Sequence, residues 1–237
     1  MPVHILVTGS SRGIGAAIAA SLHRPDVRLV GHATTGGEAG RIAADLDRPG
    51  AAAALWNEAV DRLDGRVDVL VNNAGVFEAA PLDLPDEAWL AGWERTLRVN
   101  LTASAELSRL AVRHWRARAS GGRIVNVASR AAYRGDSPDH WHYAASKAGM
   151  VAMTKTIARG YAGEGILAFA VCPGFVRTGM AEAHLAGPDG AVTVADIPLG
   201  RVATPDEVAD AVHFLALQAP PSMTGAVLDL NGASYVR

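Results

Sequence analysis

The 237-residue chain has one cysteine, Cys172, so no disulfide can form within it, and a reducing cytoplasmic setting is expected. A small buried hydrophobe at a strand end is the expected role of that residue. An excess of charge of either sign is also lacking, since 22 Lys and Arg face 24 Asp and Glu, for a formal net charge of −2. This balance gives no electrostatic case for a nucleic-acid or anionic-membrane partner. No stretch reaches the roughly 18 consecutive apolar residues of a membrane helix. The opening Met-Pro-Val-His-Ile lacks the charged and apolar regions of a signal peptide. No Cys/His cluster has zinc-ligand spacing, so no metal is expected.

What is present is an alternation of short apolar runs with helical periodicities. Strands are expected at Val3–Val7, Val27–Val30, Arg41–Leu46, Val67–Val71, Arg123–Val127, Ile166–Val171 and Ala226–Leu230, and helices at Gly13–His23, Ala51–Leu63, Asp86–Ala117, Tyr143–Tyr161 and Pro205–Leu217. This order predicts an α/β fold: a doubly wound parallel sheet of Rossmann type in three layers, as one domain over residues 1–237. Thr204-Pro205-Asp206-Glu207 reads as a capping box with proline in the first turn. One connection is short. A parallel crossover takes about a dozen residues or more, and Thr34-Thr35-Gly36-Gly37 leaves little room before Arg41. The helix after the second strand is therefore expected to be missing or reduced to a turn.

Thr8-Gly-Ser-Ser-Arg-Gly-Ile-Gly15 follows the first strand and opens the first helix. Glycines are needed there for the tight turn and for close approach of backbone to a pyrophosphate, which the helix N-terminus then attracts. Gly9, Ser11, Arg12, Gly13, Ile14 and Gly15 are the candidate contacts. A site for NAD places an acid at the end of the second strand, whereas Gly31-His32-Ala33-Thr34-Thr35 has none before Glu38. The Arg12 guanidinium suits an adenosine 2′-phosphate, and Thr34 and Thr35 add hydroxyls. NADP(H) is thus favoured over NAD(H), with His32, Ala33 and Thr34 beside the adenosine and Asp45-Leu46 near the adenine.

Tyr143 and Lys147, four apart on a helix, share one face. A free phenol has a pKa near 10, and an ammonium one turn away is expected to lower it toward useful acid/base strength. Ser129, just past a strand, is placed to hydrogen-bond the same substrate oxygen. His140 and His142 flank Trp141 before Tyr143, and substrate contact or loop packing is expected of them rather than catalysis. Arg109, Arg113, Arg116, Arg118 and Arg123 read as a solvated helix flank and exit loop, and Trp89 and Trp93 as core or interface packing.

With Asn72-Asn-Ala-Gly75, Asn100, Pro173-Gly174 and Thr178 added, the chain resembles the short-chain dehydrogenase/reductase family along its length. It is most similar there to 3-oxoacyl-[acyl-carrier-protein] reductases, through Ser-Arg-Gly-Ile-Gly, Gly31-His-Ala-Thr and Thr224-Gly-Ala-Val-Leu-Asp-Leu-Asn-Gly232. The resemblance implies hydride transfer between a nicotinamide and a carbonyl, with Tyr143 as general acid. It gives Lys147 the nicotinamide ribose as well, and Asn100 a water linking Lys147 to solvent. Asn73, Ala74 and Gly75, with Asn72, would line the cofactor cleft on the adenosine side. Pro173, Gly174, Val176 and Thr178 would meet the nicotinamide carboxamide. Residues 175–200 occupy the substrate-lid position, where Met180, Ala183 and Leu185 predict an apolar contribution. A homotetramer pairing the long helices and the C-terminal region is implied too.

The substrate class stays open. A small carbonyl compound, with or without a carrier protein, is the first reading. Glu164 stands where the reductases tend to carry a basic carrier-docking residue. Oxidation of a polyol or other secondary alcohol is comparable, and a non-catalytic dinucleotide sensor is the remaining alternative.

Overall fold

The computed structural model describes residues 2–35, 40–179, 185–188 and 190–237. They form a seven-stranded, all-parallel sheet in the order β3-β2-β1-β4-β5-β6-β7. The strands are β1 (Val3–Val7), β2 (Val27–Ala33), β3 (Arg41–Ala43), β4 (Val69–Asn72), β5 (Gly122–Val127), β6 (Ile166–Pro173) and β7 (Val227–Leu230). The order reverses direction between β1 and β4, the switch point at which open α/β sheets bind ligands.

Successive strand residues face opposite sides, and the two sides carry separate cores. Leu6, Leu70 and Ile124 pack with Leu55, Leu107 and Trp115 on one face, while Ile5, Val69 and Val125 pack with Ile18 and Val208 on the other. The first face is covered by α2 (Ala51–Arg62), α4 (Ala103–Ala117) and α6 (Trp141–Tyr161), and the second by α1 (Gly13–Ser21) and α8 (Pro205–His213). All of β6 is buried, as expected of a strand covered on both faces. The box at the start of α8 forms as read: Thr204 Oγ1 accepts from the Glu207 amide at 3.2 Å, and Glu207 Oε2 from the Thr204 amide at 2.8 Å.

Three expectations are corrected. The third strand spans only Arg41–Ala43, not Arg41–Leu46, and pairs with Gly31–Ala33 alone. The chain must therefore double back by only three residues' rise, about 10 Å. Residues 34–40 make that connection, and Thr34, Thr35 and Gly40 are not helical. The 86–117 segment is not one α-helix: α3 (Asp86–Leu97) and α4 are joined by a π-helical turn at Arg98–Thr102. A further π-helical turn, Phe214–Gln218, follows α8. Finally, Arg123 is not part of a solvated flank, because its Nη1 donates to the carbonyls of Leu215 and Ala219 at 3.0 and 2.9 Å. It caps the carbonyl end of that second π turn, with its guanidinium over the Phe169 ring.

Among the described residues, the segment between β6 and α8 holds a short helix, α7 (Gly190–Ala195), and another, α5 (Ala131–Arg134), lies between β5 and α6. Met180 and Ala183, expected to shape the substrate pocket, lie outside the described residues.

Candidate active site

In a parallel sheet all C-terminal strand ends open on one edge, and there β5, α6 and the π turn converge. Ser129 lies two residues beyond β5. Its Oγ accepts from the Ala131 amide at 3.1 Å and is hydrogen-bonded to the Tyr143 phenol. Lys147, one turn along α6 and 4% exposed, donates from Nζ to the Val127 carbonyl at 2.9 Å. The same Nζ lies 5.8 Å from the centre of the Tyr143 ring.

Asn100, fully buried in the π turn, ties three elements together. Its Nδ2 donates to Val76 O at 3.0 Å and Ser146 Oγ at 3.2 Å, and its Oδ1 accepts from the Val76 amide at 2.8 Å. A π turn holds one residue more than the α-helix around it and recurs at functional sites; here it turns a polar side chain inward from a helix. Gly75 closes the group: a Cβ there would lie 3.2 Å from Asn100 Oδ1 and 3.6 Å from Lys147 Nζ.

The electrostatics differ from the expectation for the pair. Burial pushes the phenol of Tyr143 up to about 12, with the Ser129 hydrogen bond opposing it, and burial pulls the ammonium of Lys147 down to about 8. The Lys147 ammonium does not offset that burial here; its Nζ donates to the Val127 carbonyl. At neutral pH the phenol is protonated, the form in which it can donate a proton to a substrate oxygen.

The glycine-rich turn lies at the end of β1. Gly9 has φ +64°, and a Cβ on it would sit 2.8 Å from the Ala74 backbone. One on Gly15 would overlap the Gly9 carbonyl. Asn73 holds the turn to β4, its Nδ2 donating to the carbonyls of Thr8 and Gly9 at 3.0 Å each. Thr8 Oγ1 answers by accepting the amides of Asn73 and Ala74. Arg12 precedes α1 without a side-chain cap, so the first-turn amides of that helix remain available to an anion. Ser11, Arg12, Thr34 and Thr35 are exposed, and Ile14 is half-buried against the core. Thr178 reaches across from the segment after β6, its Cγ2 3.3 Å from where a Gly13 Cβ would stand. An uncapped helix start, a cradle that side chains would fill and an exposed guanidinium fit a dinucleotide phosphate.

Other predicted contacts take different places. The imidazole of His32 does not face the cleft, since it is 2% exposed with both ring nitrogens bonded to protein. Leu46 and Val176 are buried in the core and Ala33 is buried too, so backbone is what they offer a ligand. Asp45 turns into its own loop, accepting the Asp47 amide at 3.1 Å and pairing with Arg48. Asn72 does not line the cleft: its Nδ2 donates to Ser108 Oγ and Asn126 Oδ1, and Asn126 in turn to Thr154. This buried polar ladder and the Ser10–His32 pairing carry no motif of their own, and alternation along β4 and β5 is the one signal that could have placed Asn72 and Asn126 on the same face. Pro173 and Gly174 anchor the end of β6, the Pro173 carbonyl accepting from Arg130 and the Gly174 amide donating to Leu230.

Beside Tyr143 stands an aromatic rim. Phe77, 37% exposed, stacks on His140 at 3.9 Å and meets the Tyr143 ring edge-on at 4.7 Å. His142 is buried against Trp93, which stacks with Trp89. The two histidines thus pack around the tyrosine, and burial lowers the pKa of each.

These strand ends, the glycine turn and the Ser–Tyr–Lys cluster define a class, and the comparisons agree. The chain belongs to the short-chain dehydrogenase/reductase family; it is an NAD(P)-dependent oxidoreductase acting on CH–OH groups. A family described as enoyl-(acyl carrier protein) reductase matches residues 9–232. The chain is 35% identical to the 3-oxoacyl-[acyl-carrier-protein] reductase FabG of Vibrio harveyi, over 98% of this chain and 96% of that protein. It is 36% identical to the D-threitol dehydrogenase of Mycolicibacterium smegmatis, over 98% and 92%. A solved structure from Beutenbergia cavernae, provisionally assigned as an NAD(P)-dependent gluconate 5-dehydrogenase with NADP bound at low occupancy, superposes with a TM-score of 0.87. It is 34% identical, covering 98% of this chain and 96% of that one.

Proposed function

We propose that the protein reduces a ketone, 3-oxoacyl-like or related, to a secondary alcohol with NADP(H) in preference to NAD(H). The observation carrying this reading is the buried, protonated Tyr143 phenol bonded to Ser129 beside Lys147. The cofactor, when bound, supplies the hydride. Ser129 and Tyr143 hold the substrate oxygen, and Tyr143 gives it a proton. Lys147 adds positive charge within a turn of the developing phenolate, and Asn100 holds the Gly75–Val76 backbone against the lysine.

Exposed Arg12, exposed Thr34 and Thr35, and an Asp45 engaged with its own loop support the preference for a 2′-phosphate. The expected contacts of Ser11, Gly13, Ile14, Gly15, Asn73, Ala74 and Thr178 with the cofactor remain part of this reading. A cytoplasmic homotetramer is also proposed; exposed Leu82, Leu84, Leu90 and Trp141 around α3 support a covered face there. A carrier protein is less favoured as the substrate's bearer, because Glu164 is paired with Arg116 at 2.8 Å and offers no free cation.

The test is a panel of 3-oxoacyl thioesters, simple ketones and polyols, each assayed with NADPH and NADH. Faster ketone reduction with NADPH supports the reading. A clear NADH preference overturns the cofactor assignment, and turnover of polyols alone favours the dehydrogenase reading, which the similarity to a D-threitol dehydrogenase supports.

A further inference from the structure

Among the described residues, His32 is the one buried titratable side chain that bridges the glycine turn and the loop after β3. Its Nδ1 accepts the Gly9 amide proton at 3.0 Å, and its Nε2 lies 2.8 Å from the Ala44 carbonyl. An amide and a carbonyl admit one arrangement of the ring: Nε2 carries the proton and Nδ1 is bare. The backbone of the same residue is clasped by Ser10, whose amide donates to the His32 carbonyl at 2.8 Å and whose Oγ accepts the His32 amide at 3.1 Å. Gly9 is the residue whose positive φ sets the turn, and its carbonyl is held from the β4 side by Asn73. Its amide has His32 as its support on the β2 side. Ala44, at the other end of the imidazole, opens the loop that carries Asp45.

We propose that His32 is a positioning residue. Its neutral imidazole is a strut that props the Gly9 amide, with the Ala44 carbonyl at its other end fixing which ring nitrogen is bare, and it holds the glycine turn in place for a dinucleotide that it does not touch. The proposal rests on the reading that the glycine turn receives the dinucleotide.

Asparagine and glutamine separate the two halves of the strut. The Asn Oδ1 stands near the place of Nδ1, so His32→Asn keeps an acceptor for Gly9 but falls short of Ala44. The longer His32→Gln carries an amide donor to the Ala44 side and takes from the Gly9 amide its acceptor on β2. Dissociation constants for NADPH are measured by fluorescence titration, and exchange of the Gly9 amide proton is followed by NMR in the cofactor-free protein. His32→Gln is expected to weaken NADPH binding about tenfold, the effect of one lost hydrogen bond, and to raise the cofactor KM with kcat at saturation unchanged. His32→Asn should bind within about threefold of wild type, since it restores that bond. Gly9 exchange should be slow in wild type and His32→Asn and fast in His32→Gln.

Wild-type affinity in His32→Gln overturns the strut. So does equal weakening in both variants, which would mean that ring packing, rather than the Gly9 bond, matters. A wild-type protein that binds neither NADPH nor NADH overturns the functional reading itself, a result distinct from either of these.

Discussion

The two ends of the cleft are built by different means. At the cofactor end nearly every contact runs through backbone: Asn73 on the Thr8 and Gly9 carbonyls, Thr8 on the Asn73 and Ala74 amides, His32 on the Gly9 amide. At the aromatic rim beside Tyr143 the contacts are between side chains, as in Phe77 against His140 and Tyr143. Backbone geometry constrains which residues are possible, so it leaves a motif. Side-chain stacking admits many solutions, so it does not. This is why the class of reaction can be read from the glycine turn and the strand ends, whereas the aromatic rim carries no motif.

That contrast can be broken at several points. The largest effect is expected where the two ends meet. Tyr143→Phe should lower ketone reduction by about 10²–10⁴-fold while leaving NADPH affinity near wild type, read by steady-state rates and titration; full activity would sink the proposed mechanism. At the cofactor end, Arg12→Ala should raise the NADPH KM by about tenfold, the loss of a charge-assisted contact, and leave the NADH KM alone. Equal effects on both cofactors would contradict the 2′-phosphate assignment.

The pH profile tests the junction differently. The Lys147 ammonium is present below about 8 and lost above it, whereas the Tyr143 phenol stays protonated to about 12. Reduction is therefore expected to be flat through neutral pH and to decline as pH rises past about 8, and Lys147→Met should abolish that decline along with most of the rate. At the substrate end, Phe77→Ala should change kcat/KM by only a few-fold, in a direction that varies with the ketone, since one aromatic contact contributes about 1 kcal/mol. An equal effect across every substrate would mean that Phe77 props Tyr143 instead of meeting substrate. Remote from both ends, Thr204→Ala should cost about 1 kcal/mol in thermal unfolding with unchanged kinetics.

The sequence carried the parallel sheet because strand and helix periodicities alternate without interruption, and it carried the tight β2–β3 connection because too few residues separate the strands for a helix. Ser129, Tyr143 and Lys147 were legible from spacing and order, and the structure brings them together. Three features were hidden for physical reasons. The π turn has the same residue types as the helices that flank it. The side chain of His32 faces inward near the end of β2, which reads as flanking the adenosine. Asn72 and Asn126 meet only because β4 and β5 are in register, a long-range fact that no local pattern encodes.

The π turn at 98–102 also sets what the chain tolerates. The extra residue of a π turn is absorbed locally, so α4 keeps Leu107, Ala111 and Trp115 facing the sheet. Deleting one residue between Arg98 and Thr102 would return plain α-helix with α4 in place, and the loss would fall on Asn100, whose side chain clasps Val76 and Ser146. A one-residue deletion here should therefore leave the fold standing and undo that clasp.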